Sequence, residues 1–176
     1  MMLLIKNAAK VYTMGNDGIL ENTDILIEGT RIKAIGKDLP TDGVDTVIDA
    51  SGKYVYPGFI DAHCHIGLFE EAIGFEGNDG NEITNPITPE LRAIDGINPM
   101  DIAFKEALQG GVTTAHTGPG SANVIGGQFA IIKLAGRRVD DMVVNPYSAM
   151  KCAFGENPKR CYRGKGQKQE WEQQRA

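Results

Sequence analysis

Residues Pro57 to His65 read Pro-Gly-Phe-Ile-Asp-Ala-His-Cys-His, and no other stretch narrows the choice of fold as much. The Pro-Gly pair closes one segment, and Phe59-Ile60 opens a short apolar strand. Side chains alternate along a strand, so His63 and His65 share a face while Cys64 takes the other. A neutral imidazole offers a nitrogen that sits about 2.0 to 2.1 Å from a zinc ion, so two rings at i and i+2 on a strand end suit a divalent metal. Asp61 lies on the same face one pleat earlier, where a carboxylate either orients a ligand or binds weakly itself. A bare His-x-His is a weak signal, met by incidental structural pairs as well. The longer string is what gives it weight.

Before this string the pattern is all β. Leu3-Leu-Ile5 and Val11-Tyr-Thr13 are short β-rich runs on either side of Asn7, and Asp24–Glu28 meets Arg31–Ile35 across Gly29-Thr30 as a hairpin. Thr46–Asp49 reads as a further strand. After His65 there is no clear periodicity until Asn98, over a stretch rich in Gly, Asn and acidic residues; connections this long are functional lids or disordered. Asn98 is the expected cap of a helix with Pro99 at its first position. Met100, Ala103, Phe104, Ala107 and Leu108 fall at helical spacing on one stripe, and Gly110-Gly111 stops it. Val112–Ala115 follows as a strand, so strand, helix, strand predicts a βαβ unit with parallel pairing. Phe129–Leu134 and Ala149–Phe154 read as two more strands.

The string at Pro57–His65 resembles the first metal-binding strand of the amidohydrolase superfamily. Gly110-Gly-Val-Thr-Thr114, Pro119-Gly-Ser121 and Gly155-Glu-Asn-Pro-Lys-Arg160 resemble its imidazolonepropionase-like branch, and the likeness runs to about Arg163. The fold it implies is α/β: the N-terminal part of a β-sandwich over residues 1–56, then roughly half of a (β/α)8 metal-dependent hydrolase barrel over 57–163. A polar tail, 164–176, is expected to be disordered. The cofactor implied is a divalent metal, zinc in the first place, with His63 and His65 as ligands and Asp61 behind them. Superfamily members often add a Glu or a carboxylated Lys near the fourth strand; Glu156 ranks first for that role, ahead of Lys151 and Lys133. His116, at a strand end before a Gly-Pro-Gly loop, is read as lining the pocket rather than as a ligand.

A complete barrel takes about 250 residues, whereas Pro57 to Ala176 supplies 120. The superfamily's further metal histidines and its catalytic Asp lie on later strands, and a chain with three histidines in all cannot supply them. The expectation is a truncated N-terminal part of a hydrolase that cleaves a carbon–nitrogen bond in a cyclic amide or amide-like small molecule, inactive alone. The alternative is a non-catalytic folded remnant, or a self-association module formed through exposed sheet edges.

Composition narrows the partners. The net charge of −5 argues against nucleic acid, because phosphate contacts need clustered Lys and Arg. No apolar run approaches the 18 or so residues of a membrane span, and the Met-Met-Leu-Leu-Ile start lacks the basic region of a signal peptide. Cys64, Cys152 and Cys161 make neither a Cys-x-x-Cys nor an even set, so a disulfide framework is not expected and a cytoplasmic location is.

Overall fold

The strand β1 (Met2–Tyr12) is continuous where two runs were expected, because a bulge between Ile5 and Ala8 absorbs Asn7 at φ 62°. Asn tolerates the left-handed region better than most residues. The amide freed at the bulge is not lost: Asn7 N donates to Asp24 Oδ1 at 2.7 Å, while Leu39 N donates to Asp24 Oδ2 at 3.0 Å, which satisfies a carboxylate only 3% exposed. This computed structural model describes residues 1–71 and 73–163, so the expectation for the 164–176 tail lies outside the described residues.

The chain divides between Pro57 and Gly58 into two units. In the first, β2 (Ile19–Glu28) pairs antiparallel with β1 and with β3 (Arg31–Gly36), the predicted hairpin turning at Gly29 with φ 59°. On its other edge β1 takes β4 (Thr46–Asp49) and the two-residue β5 (Tyr54–Val55), both parallel. Ala8, Val11, Ile25 and Ala50 are buried together at the centre of this unit.

The second unit holds a sheet in the order β6 (Phe59–Cys64), β7 (Val112–Thr117), β8 (Ile125–Lys133), β9 (Val143–Cys152). A short helix, α1 (Ala93–Gly96), and the longer α2 (Ile102–Gln109) lie between β6 and β7, which pair in parallel as a βαβ unit requires. Phe104 of α2 is buried with Ala115, Ile132, Leu134 and Met142, so the helix packs on the apolar side of β7 and β8. Two more helices follow, α3 (Val139–Met142) and α4 (Glu156–Tyr162).

Three expectations need correction. First, β7–β8 and β8–β9 are antiparallel, not further parallel barrel strands. Parallel neighbours need a crossover of a dozen or more residues, and only residues 118–124 and 134–142 are available for these two connections. Second, α2 begins after Asp101, not Asn98. Asp101 Oδ1 accepts from Ala103 N at 3.1 Å, while Asn98 Oδ1 accepts from Met100 N at 3.0 Å in a turn outside the helix. Its apolar stripe is correspondingly narrower, Met100 being 73% exposed. Third, the long stretch after His65 is not structureless. It contains a 3-10 turn at Gly74–Gly77, and its second half is stitched to β8. Thr88 N donates to Ile125 O at 2.9 Å, Ile125 N to Pro86 O at 3.1 Å and Gln128 N to Leu91 O at 2.8 Å. Below it Asn123, fully buried, donates from Nδ2 to Asn85 O and to the hydroxyl of Tyr162, each at 2.9 Å.

Among the described residues no helix is long and apolar enough to cross a membrane.

Asp101 also accepts from Glu71 N at 3.3 Å, so it caps α2 and anchors the segment after β6 together. Asp101→Ala should lower stability by about 1 to 2 kcal/mol, whereas Asp101→Asn, which keeps a capping oxygen, should lose only part of that. Urea unfolding of the three proteins checks this, and equal midpoints for native and alanine chains would contradict it.

Candidate metal centre

The end of β6 brings His63 and His65 together, their ring centroids 5.4 Å apart and nearly perpendicular at 81°. His65 Nδ1 lies 2.6 Å from the carbonyl oxygen of Gly118, the first residue after β7. A carbonyl can only accept, so Nδ1 carries a proton, and in the neutral ring the lone pair is then on Nε2, the tautomer a metal-binding histidine uses. His63 is held differently. Asp61 Oδ1 accepts from the backbone N–H of His63 at 3.0 Å, so this carboxylate shapes the strand end through the main chain and not through the ring.

The electrostatics favour a neutral His63. Loss of solvent around its ring pulls its pKa below the ordinary imidazole value; Lys151, His65 and His116 pull the same way in that order, and Asp61 opposes them. Neutral imidazole is the ligand form.

His116 stands beside this pair. Its Nδ1 lies 3.1 Å from Ala62 O, and its Nε2 is buried without a hydrogen-bond partner. The three imidazoles surround one aromatic ring. Phe129 of β8, 2% exposed, has its centroid 5.2 Å from that of His63, 6.3 Å from that of His65 and 4.9 Å from that of His116. The ammonium of Lys151 sits over the same ring at 5.7 Å.

Glu156, ranked first for the fourth-strand role, is not gathered here. It opens α4, is exposed, and pairs with Lys159 at 3.1 Å. Lys133 is also engaged elsewhere, donating to Thr114 Oγ1 at 2.9 Å. Among the described residues no three His, Cys, Asp or Glu side chains converge as a metal would need. The two imidazoles therefore fit an ion as a partial donor set, with His116 and Lys151 gathered around the same Phe129 ring.

Neither Phe129 nor Gly118 was marked by the sequence as part of the site. Gly118 could have been suspected from its place in a Gly-Pro-Gly loop immediately after a strand; nothing in the pattern around Phe129 distinguishes it from core. A separate cavity of about 360 Å³ next to β6 has Asp61, Cys64, His65 and Asp101 in its wall but not His63, His116 or Lys151. Burial of Cys64 raises its thiol pKa, which disfavours the thiolate there.

No family model matches the chain. An amidohydrolase, tasK of Hapsidospora irregularis, is 38% identical over 154 residues, covering 79% of this chain and 16% of that protein. The imidazolonepropionase of Streptomyces griseus is 26% identical over 134 residues, 71% of this chain and 34% of that protein. Among solved structures, an amidohydrolase from Thermotoga maritima MSB8 superposes with a TM-score of 0.81 at 42% identity, covering 91% of this chain and 41% of that one. The chain belongs to the amidohydrolase superfamily. It spans less than half the length of each of these relatives.

The lowered pKa of His63 gives a signed expectation. In the metal-free protein its imidazole should titrate below the ordinary value of 6.5. Its charged form is disfavoured by folding, so its contribution is intact above 6.5 and is lost as the pH falls from there toward the folded-state midpoint. Following the His63 ring resonances by NMR from pH 8 to pH 4 checks this; a midpoint at or above 6.5 would contradict it.

Proposed function

We propose that this chain carries the first metal-ligating strand of a hydrolase that cleaves a carbon–nitrogen bond in a cyclic amide or amide-like small molecule. The observation that carries the reading is the pairing of His63 with His65, whose Nδ1 is committed to Gly118 O. It is supported by the 42% identity to the Thermotoga amidohydrolase over 91% of the chain. On this reading β6, α2 and β7 are the opening strand, helix and strand of a (β/α)8 barrel, and residues before Pro57 belong to the accompanying β-sandwich.

His63 and His65 would hold a divalent ion, zinc being among those that imidazole donors suit. Such an ion supplies Lewis-acid catalysis when bound. The chain's own contributions are to keep His63 neutral, to fix the tautomer of His65 through Gly118, and to place Lys151 beside the pair. Lys151 replaces Glu156 as the preferred candidate for the Glu or carboxylated Lys that superfamily members often add near the fourth strand. His116, with one nitrogen on Ala62 O, stands beside the pair against Phe129. A working site takes three or more ligands and a base within reach of the water it activates. On this reading the described residues offer two ligating imidazoles, with His116 and Lys151 beside them, so they bind an ion weakly and do not turn over substrate by themselves.

Zinc titration of the native chain should give weak uptake that is lost in His63→Ala and in His65→Ala, reduced in Lys151→Met and unchanged in Glu156→Gln. Equal uptake by the native and histidine variants would remove the metal reading. Measurable hydrolysis of a cyclic amide by the native chain would overturn the claim of an incomplete site.

A second reading rests on the sheet edges. β6 and β9 are the outer strands of their sheet, and Ile60 (70%), Val144 (57%) and Tyr147 (58%) stand exposed on them. Such surface favours self-association, which a concentration series in sedimentation velocity would detect; a monomer throughout would end this reading.

A further inference from the structure

We propose that Phe129 is a positioning residue that sets the mutual arrangement of His63, His65, His116 and Lys151 before any ion arrives. This rests on the metal reading above, but its geometry belongs to the chain alone. Strand register puts the parts on one face: His116 lies opposite Ile131, two residues along β8 from Phe129, and Lys151 lies opposite Gly127, two residues the other way. Side chains two apart on a strand share a face, and diagonal neighbours reach one another when one is long or aromatic. Gly127 opposes Lys151 with no side chain of its own, and the ammonium comes to rest 5.7 Å from the Phe129 centroid, within the range of a cation–π contact.

The ring cannot easily adjust. Phe129 is 2% exposed, and a methyl group added at Gly118 would stand 2.2 Å from its Cδ2. Gly118 is therefore tied to the site twice, through its carbonyl to His65 and through its missing side chain to Phe129. His63 packs on the ring tilted by 30° between planes, while His65 and His116 meet it edgewise at 63° and 62°. Edge-to-face and offset-stacked pairs are the favoured aromatic geometries. Each imidazole thus has its plane set against the same reference surface. A site built this way loses precision if the ring is removed even when the volume is kept.

The test uses the full 176-residue chain without metal, then with zinc. Phe129→Met removes the ring and nearly keeps the volume; Gly118→Ala keeps the ring and displaces it; Phe129→Tyr restores an aromatic face. In the metal-free state, imidazole proton resonances of all three histidines should move when the ring current is lost in Phe129→Met, move differently in Gly118→Ala, and return toward native in Phe129→Tyr. Zinc affinity should fall about tenfold or more in Phe129→Met, the size of effect seen when groups behind a metal ligand are removed. Native-like imidazole resonances in Phe129→Met would overturn the proposal, as would shifted resonances with zinc affinity unchanged. If the native chain takes up no zinc, the metal reading fails, and the positioning role then stands only if nuclear Overhauser contacts between the His63 and His65 rings are lost in Phe129→Met and return in Phe129→Tyr, and falls if they persist.

Discussion

The parallel pairing of β6 with β7 is the constraint on which the candidate centre depends. It places Asp61 beside Ala115 and Cys64 beside Thr117, and so brings the turn after β7 within reach of His65. The 53-residue separation of His65 and Gly118 is closed by α2, whose Phe104 is buried against the far side of the same strands. Burial of that apolar side stabilises the pairing by roughly 25 cal/mol for each Å² withdrawn from water. The polar face of the sheet is then free to carry three imidazoles. Chemistry and packing divide the two faces of β7 between them, with Ala115 inward at 1% exposure and His116 on the other side.

The antiparallel pairs that follow bring a different kind of precision. A hairpin register is fixed residue by residue, and slipping it by one would turn Phe129 and Lys151 to the wrong face. β8 and β9 therefore deliver Lys151 to the histidines through ladder geometry, where Glu156, beyond the strand and at the start of a helix, is free to pair with Lys159 in solvent.

Much of this was legible in the sequence. The His-x-His string with its Pro-Gly opening pointed to the strand and to the shared side of its two imidazoles; Gly29-Thr30 pointed to the hairpin; Gly110-Gly111 pointed to the end of α2. What escaped did so for definable reasons. Two β-rich runs merge into β1 because Asp24, distant in sequence, satisfies the amide that the bulge at Asn7 exposes. Asn98 and Asp101 are both good capping residues, and local pattern does not say which turn becomes helix. Strand direction depends on connection length, and the seven residues between β7 and β8 are too few for a parallel crossover, a signal present in the sequence once both strands are correctly bounded. Phe129 becomes a functional candidate, and Lys151 moves ahead of Glu156, only through cross-strand register, which has no local signature.

The stitching of residues 86–92 to β8 bears on how relatives of this chain can diverge. Insertions succeed where the backbone makes few structural bonds. Between Pro86 and Arg92 the main chain behaves as an irregular extra strand, bridging at Ile87 to Ile125 and at Arg92 to Gln128, so a length change there would break the edge of β8 next to Phe129. Around Gly74–Gly77 the turn closes mainly on its own neighbours, Glu70 N meeting Gly77 O at 2.9 Å. New loop length is expected to accumulate at that turn, leaving the segment from Pro86 onward at constant length.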